Sequence, residues 1–72
     1  MSENIKKIKI DTDFIKLGQL LKLANLVSSG AESKHIILDG KVTVNGQVCL
    51  QRGKKIVTGD IVLYDKTKIQ VE

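Results

Sequence analysis

Ile5, Ile8 and Ile10 sit among Lys6, Lys7 and Lys9 in a nearly alternating pattern that predicts a first strand with one face on the core. Asp11-Thr12-Asp13 then offers turn and capping oxygens ahead of Phe14 and Ile15. Leu17, Leu20, Leu21 and Ala24 recur at helical spacing, which predicts a helix from about Leu17 to Asn25, with Gly18 as an unfavourable interior residue. After a short connection through Leu26 and Val27, Ser29 and Glu32 have the Ser-x-x-Glu spacing of a capping box. A second helix is expected from Gly30 to about Asp39, with Ser33, Ile36 and Ile37 inward and Gly40 as the left-handed residue that ends it. Joined by so few residues, the two helices should pack together.

The pattern then changes period. In Asp39-Gly40-Lys41-Val42-Thr43-Val44-Asn45-Gly46, Val42 and Val44 alternate with Lys41 and Thr43, and Asn-Gly favours two consecutive residues at positive φ in a hairpin turn. Val48 and Leu50 continue the returning strand, and Gln51-Arg52-Gly53 ends it. Lys54-Lys55-Ile56-Val57 leads into a second turn at Thr58-Gly59-Asp60. Ile61–Tyr64 and Ile69–Val71 read as two closing strands joined around Asp65-Lys66. The expected architecture is α+β, two packed helices against a small, mostly antiparallel sheet, in one domain over residues 1–72.

Composition narrows the chemistry. With 72 residues, one cysteine and one histidine, the chain can draw on neither a disulfide network nor a histidine-cysteine metal cluster, so its stability rests on Ile, Leu and Val packing. No amino-terminal apolar run suggests a signal peptide and no segment approaches the roughly 20 apolar residues of a membrane span, so a cytoplasmic protein is expected. The net charge of +4 is unevenly spread. Lys6, Lys7, Lys9, Lys16 and Lys22 are nearly balanced by Glu3, Asp11, Asp13 and Glu32, whereas Asp39 is the sole acid between Lys34 and Gly59. Lys34, Lys41, Arg52, Lys54 and Lys55 therefore make a candidate phosphate-binding corner.

Taken in order, Leu17, Leu20 or Leu21, Ser29, Glu32, Ile36-Ile37, Gly40-Lys41-Val42, Val44-Asn45-Gly46 and Gly59-Asp60 resemble a known family. It is the RNA-binding domain named after the fourth protein of the small ribosomal subunit, also called the alpha-L motif. The resemblance runs from about Lys16 to Val62. Ile15-Lys-Leu-Gly-Gln-Leu-Leu-Lys-Leu-Ala and Arg52-Gly-Lys-Lys are further similar to the small stand-alone bacterial YbcJ/YaaA-type members. The resemblance implies recognition of structured RNA, ribosomal or transfer, in a groove between the helix pair and the following hairpin. It also implies that Lys34 and Lys41 occupy commonly basic places, and Lys16 that of a frequent arginine. Gly18 stands where the family often has aspartate, and Gly30 where arginine is frequent.

Phosphates neutralised by four or five cations would give a log K against log salt slope of roughly −3 to −5. Recognition should rest on RNA shape and backbone, because Phe14 and Tyr64 are the only aromatics and the strand position of Tyr64 favours packing. A turn requirement accounts for Asn45, and capping by Glu32 competes with anion binding at the second helix's start. His35 and Cys49 lack partners for metal binding or catalysis. No Walker sequence, dinucleotide fingerprint or acid-base pair is present, so neither an enzyme nor a cofactor is expected, and the chain should act as a monomer. The alternative is an adaptor whose basic face docks an acidic partner protein. DNA binding stays open on charge alone, and a sulfur-carrier role is discouraged by the ending Gln70-Val71-Glu72, which lacks Gly-Gly.

Overall fold

The computed structural model describes residues 4–72, so Glu3, counted above among the amino-terminal acids, lies outside the described residues. The order of elements is β1 (Asn4–Ile8), β2 (Ile15–Lys16), α1 (Leu17–Leu23), α2 (Gly30–Leu38), β3 (Val42–Val44), β4 (Gln47–Val48), β5 (Lys55–Ile56), β6 (Ile61–Tyr64) and β7 (Thr67–Val71). Strands β1-β7-β6-β3-β4 form a five-stranded sheet, antiparallel except for the β1–β7 edge, and β2 pairs with β5 in a separate two-stranded sheet. The helix pair and both sheets enclose one aliphatic core. Leu17, Leu20, Leu21, Ile37, Val42, Ile56, Val62 and Ile69 are each wholly buried there.

Both helices end in the same way. Asn25 takes φ 61° after α1, its N–H donating to the Lys22 carbonyl and that of Leu26 to the Leu21 carbonyl. Gly40 takes φ 76° after α2, its N–H donating to Ile37 and that of Lys41 to Ile36. These are Schellman ends, which satisfy carbonyls that the last turn leaves unpaired and turn the chain sharply. Hence α1 stops at Leu23, slightly short of the Asn25 predicted for it. The expected left-handed Gly40 is present, and so is the hairpin: Asn45 (φ 52°) and Gly46 (φ 88°) join Val44 to Gln47 as a two-residue type I′ turn.

Three expectations need correction. Ile5 is 59% exposed, because its register partner is Lys68 while Lys6 and Ile8 pair with the buried Ile69 and Val71. Residues three apart cannot share a strand face, so only Ile8 and Ile10 of the isoleucine series pack on the core. The returning hairpin strand stops at Val48, and both Val48 and Leu50 are more than half exposed. Asp11-Thr12-Asp13 does not cap α1. Lys16 is the residue before the first turn and supplies no side-chain cap; Leu17 and Gly18 N–H instead donate to the Lys54 and Arg52 carbonyls at 2.9 and 3.0 Å. Because Ile15 and Lys16 are already a strand on β5, the helix leaves the sheet with its first amides aimed at the neighbouring chain segment.

Candidate nucleic-acid interface

That junction borders a cationic hollow. A cleft of about 290 Å³ is lined by Lys16, Gly18, Gln19 and Lys22 from α1 and its approach, Gly30 and Ser33 from α2, and Arg52-Gly53 from the loop before β5. No carboxylate lines it, and among the described residues none forms an ion pair with Lys16, Lys22 or Arg52. Lys55 belongs to the same corner, since it is the direct register partner of Lys16, and its Nζ sits 4.9 Å from the centre of the Phe14 ring. Two lysines facing each other across a strand pair repel, so this corner holds cations at a cost that a bound anion would relieve.

The other expected residues lie elsewhere. Lys54 lines a hollow beside the hairpin with Val44, Asn45, Gln47, Val48, Cys49, Leu50, Gln51 and Asp60. Lys41 borders a depression with Tyr64 and Asp65, and its Nζ is 4.0 Å from the Asp39 carboxylate. Lys34 is exposed on α2, one turn beyond Gly30. The six residues therefore do not form one cluster: Lys16, Arg52 and Lys55 gather at the β2–β5 junction, and Lys34, Lys41 and Lys54 flank it or face other hollows. Lys22 was not expected at the site, although its spacing of four from Gly18 places it over the same helix face.

The start of α2 is occupied by its own side chains. Ser29 Oγ accepts from the Glu32 N–H at 3.1 Å, as the capping-box spacing predicts. The Glu32 carboxylate reaches one residue further back than a capping box requires, accepting from the Ser28 N–H at 2.6 Å and the Ser28 hydroxyl at 3.0 Å. These bonds, the backbone one foremost, hold its pKa below the ordinary glutamate value. Cys49 and Tyr64 are half-buried against the core, and His35 is exposed near the end of α2. Among the described residues, no group of three or more His, Cys, Asp or Glu is arranged to hold a metal ion. None of their helices is long and apolar enough to cross a membrane.

The S4 domain profile matches residues 8–72. The chain belongs to the S4 domain family. It is 44% identical over 55 residues to RlbA of Bacillus subtilis (strain 168), described as a probable ribosome maturation protein, covering 76% of this chain and 78% of that one. It is 39% identical over 57 residues to YbcJ of Escherichia coli (strain K12), covering 79% and 81% respectively. The solution structure of E. coli YbcJ, described as revealing an alpha-L motif involved in RNA binding, superimposes with a TM-score of 0.72 at 32% identity, over 99% of this chain and 91% of that one.

Within this S4 domain, Gly18 is the glycine whose bareness the packing uses. A Cβ built there would lie 2.6 Å from Arg52 Cγ, 3.2 Å from Arg52 Cδ and 3.2 Å from Ser33 Oγ, whereas the other five glycines have no such atom closer than 3.8 Å. Its φ is not in the left-handed region, so the requirement is for space. In the sequence Gly18 appears as a weak helix residue and as a departure from the aspartate common in the family. The signal that identifies its purpose is the arginine packed over it, which sequence spacing does not reveal.

Proposed function

We propose that this S4 domain is a non-catalytic RNA-binding module that engages structured ribosomal or transfer RNA and serves in ribosome assembly. The observation that carries the reading is the cleft at the α1 start, where Lys16, Lys22 and Arg52 surround a concavity without a carboxylate. A phosphate backbone entering such a site gains attraction from every cation and releases its counterions. Lys34, Lys41, Lys54 and Lys55 extend the contact on either side, so the backbone crosses the helix pair and the segment after the hairpin. The descriptions of RlbA and YbcJ support ribosome maturation and RNA as the context.

The test is binding of the wild-type protein to a labelled ribosomal RNA hairpin and to a DNA duplex of equal charge across a salt series. Tighter binding to RNA, with log K falling by roughly 3 to 5 per decade of salt, supports the reading. Equal affinity for both polymers overturns it in favour of unspecific basic attraction, and absence of binding to either favours a basic face that docks an acidic protein.

A further inference from the structure

Arg52 touches α1 twice. Its carbonyl accepts the Gly18 N–H at 3.0 Å, and its side-chain stem runs over the bare Gly18 Cα on the way to the cleft that it shares with Lys16 and Lys22. An alanine methyl at position 18 would overlap Arg52 Cγ at 2.6 Å, far inside van der Waals contact. Arg52 lies in an exposed loop, and among the described residues its guanidinium has no partner to hold it, so its stem would swing away before the helix moved. Alanine is also the better helix former at this place. The chain thus keeps a residue that weakens its first helix where that residue gives an arginine its seat.

We propose that Gly18 is a positioning residue for RNA binding: the missing side chain at this point of α1 seats the Arg52 stem and directs its guanidinium into the cleft lined by Lys16 and Lys22, so that the three cations engage neighbouring phosphates of the RNA backbone. The proposal rests on the RNA-binding reading above and adds the device that arranges the site. A guanidinium whose path is fixed binds a phosphate oxygen with less ordering to be done than a free-swinging one, and its planar fork suits that geometry. Gly18 itself touches no RNA; it acts through Arg52.

The test is a double-mutant cycle on the whole protein with Gly18→Ala, Arg52→Ala and the double variant, read by affinity for a structured ribosomal RNA hairpin over a salt series. Circular dichroism checks the fold, and nuclear Overhauser contacts between the Gly18 α-protons and the Arg52 stem are followed in the wild type. The expectation is that Gly18→Ala weakens binding by about 10-fold, as Arg52→Ala does, and lowers the salt slope by roughly 0.7 to 0.9, the value of one phosphate contact. The double variant should bind no more weakly than Arg52→Ala alone. Should Gly18→Ala not fold, Gly18→Ala/Ser33→Ala removes the second close atom and takes its place in the cycle. Additive losses, or a Gly18→Ala variant that binds as the wild type does, overturn the proposal and leave the RNA reading standing. Wild-type protein that binds no RNA overturns both, and absence of the Gly18–Arg52 proton contacts overturns the seating itself.

Discussion

The Asn45 side chain closes on Asp60, its Nδ2 donating to Asp60 Oδ1 at 3.0 Å while its own Oδ1 accepts the Ile61 N–H at 2.9 Å. Asp60 Oδ2 in turn accepts the Val57 N–H at 2.9 Å, and the Asn45 N–H donates to the Ile61 carbonyl at 2.7 Å. The hairpin turn and the Gly59-Asp60 turn are thereby locked together across strands β3 and β6. This is the physical reason for Val-Asn-Gly and Gly-Asp to occur in one chain, since each supplies the polar partners of the other. It also gives both ends of the Asn45 amide partners within the chain, so Asn45 serves the scaffold, as its turn conformation suggested.

Asn45 combines two roles that substitutions separate. Asn45→Gly keeps the positive φ and loses the side-chain clasp, which should cost about 1 kcal/mol. Asn45→Ala loses the clasp and also places a Cβ in the left-handed region, so its cost should reach about 2–3 kcal/mol. Urea unfolding of both variants measures the difference. Equal stabilities would show that the backbone conformation at this position carries no strain.

The lowered pKa of Glu32 makes the amino-terminal end of α2 acid-sensitive. The sign follows from linkage: a carboxyl group that binds its proton less readily when folded stabilises the native state above the ordinary glutamate pKa, and that contribution disappears as pH falls through the lowered folded value. The stability advantage of the wild type over Glu32→Gln should therefore be constant near neutrality and shrink on acidification below about pH 4.5. Thermal melts of the two proteins over a pH series check it. An advantage that grows in acid would contradict the Ser28–Glu32 hydrogen bonds as its source.

Where the sequence was legible, the information was local. Asn45-Gly46 and Gly40 need positive φ within a few residues of their strand or helix, and Leu20, Leu21, Ile36 and Ile37 repeat at the helical period, so turns, helices and core could be read directly. The β2–β5 pair could not, because Ile15-Lys16 and Lys55-Ile56 are too short to show a period and meet only through tertiary contact. That unseen pairing is what supplies carbonyl caps to Leu17 and Gly18, brings Lys16 opposite Lys55 and carries Arg52 to the helix start. Basic density along the sequence singled out Arg52, which the fold places in the α1 cleft, and Lys41, which the fold sets beside Asp39 and Asp65, but not Lys22, which lines the cleft with Arg52.

The facing pair Lys16 and Lys55 predicts an exchange between stability and binding. Lys16→Glu replaces a like-charge cross-strand pair by an opposite one and puts a carboxylate at the start of α1, where the helix dipole favours it. The variant should be more stable than the wild type by about 0.5–1 kcal/mol at low salt, with the gain fading at high salt. Its RNA affinity should fall at the same time. Lys55 is left intact so that its contact with Phe14 does not enter the comparison. A variant that is stabilised and binds RNA as before would remove Lys16 from the interface.

Two double variants rank the parts of the basic surface. Lys16→Ala/Lys22→Ala empties the cleft of two unpaired cations, whereas Lys34→Ala/Lys41→Ala removes one exposed helix lysine and one already offset by Asp39. Both lower the net charge from +4 by the same amount, so attraction of the whole protein for a polyanion falls equally in the two. Only local phosphate contact distinguishes them. The cleft variant should lose the greater affinity for a structured RNA, and its salt slope should drop by roughly 1.4 to 1.8, the equivalent of two phosphates, while the outer variant should lose less than one. Identical slopes in the two variants would mean that RNA sees the charge of this S4 domain as a diffuse field, and a larger loss in the outer variant would move the interface from the α1 cleft to the exposed side of α2.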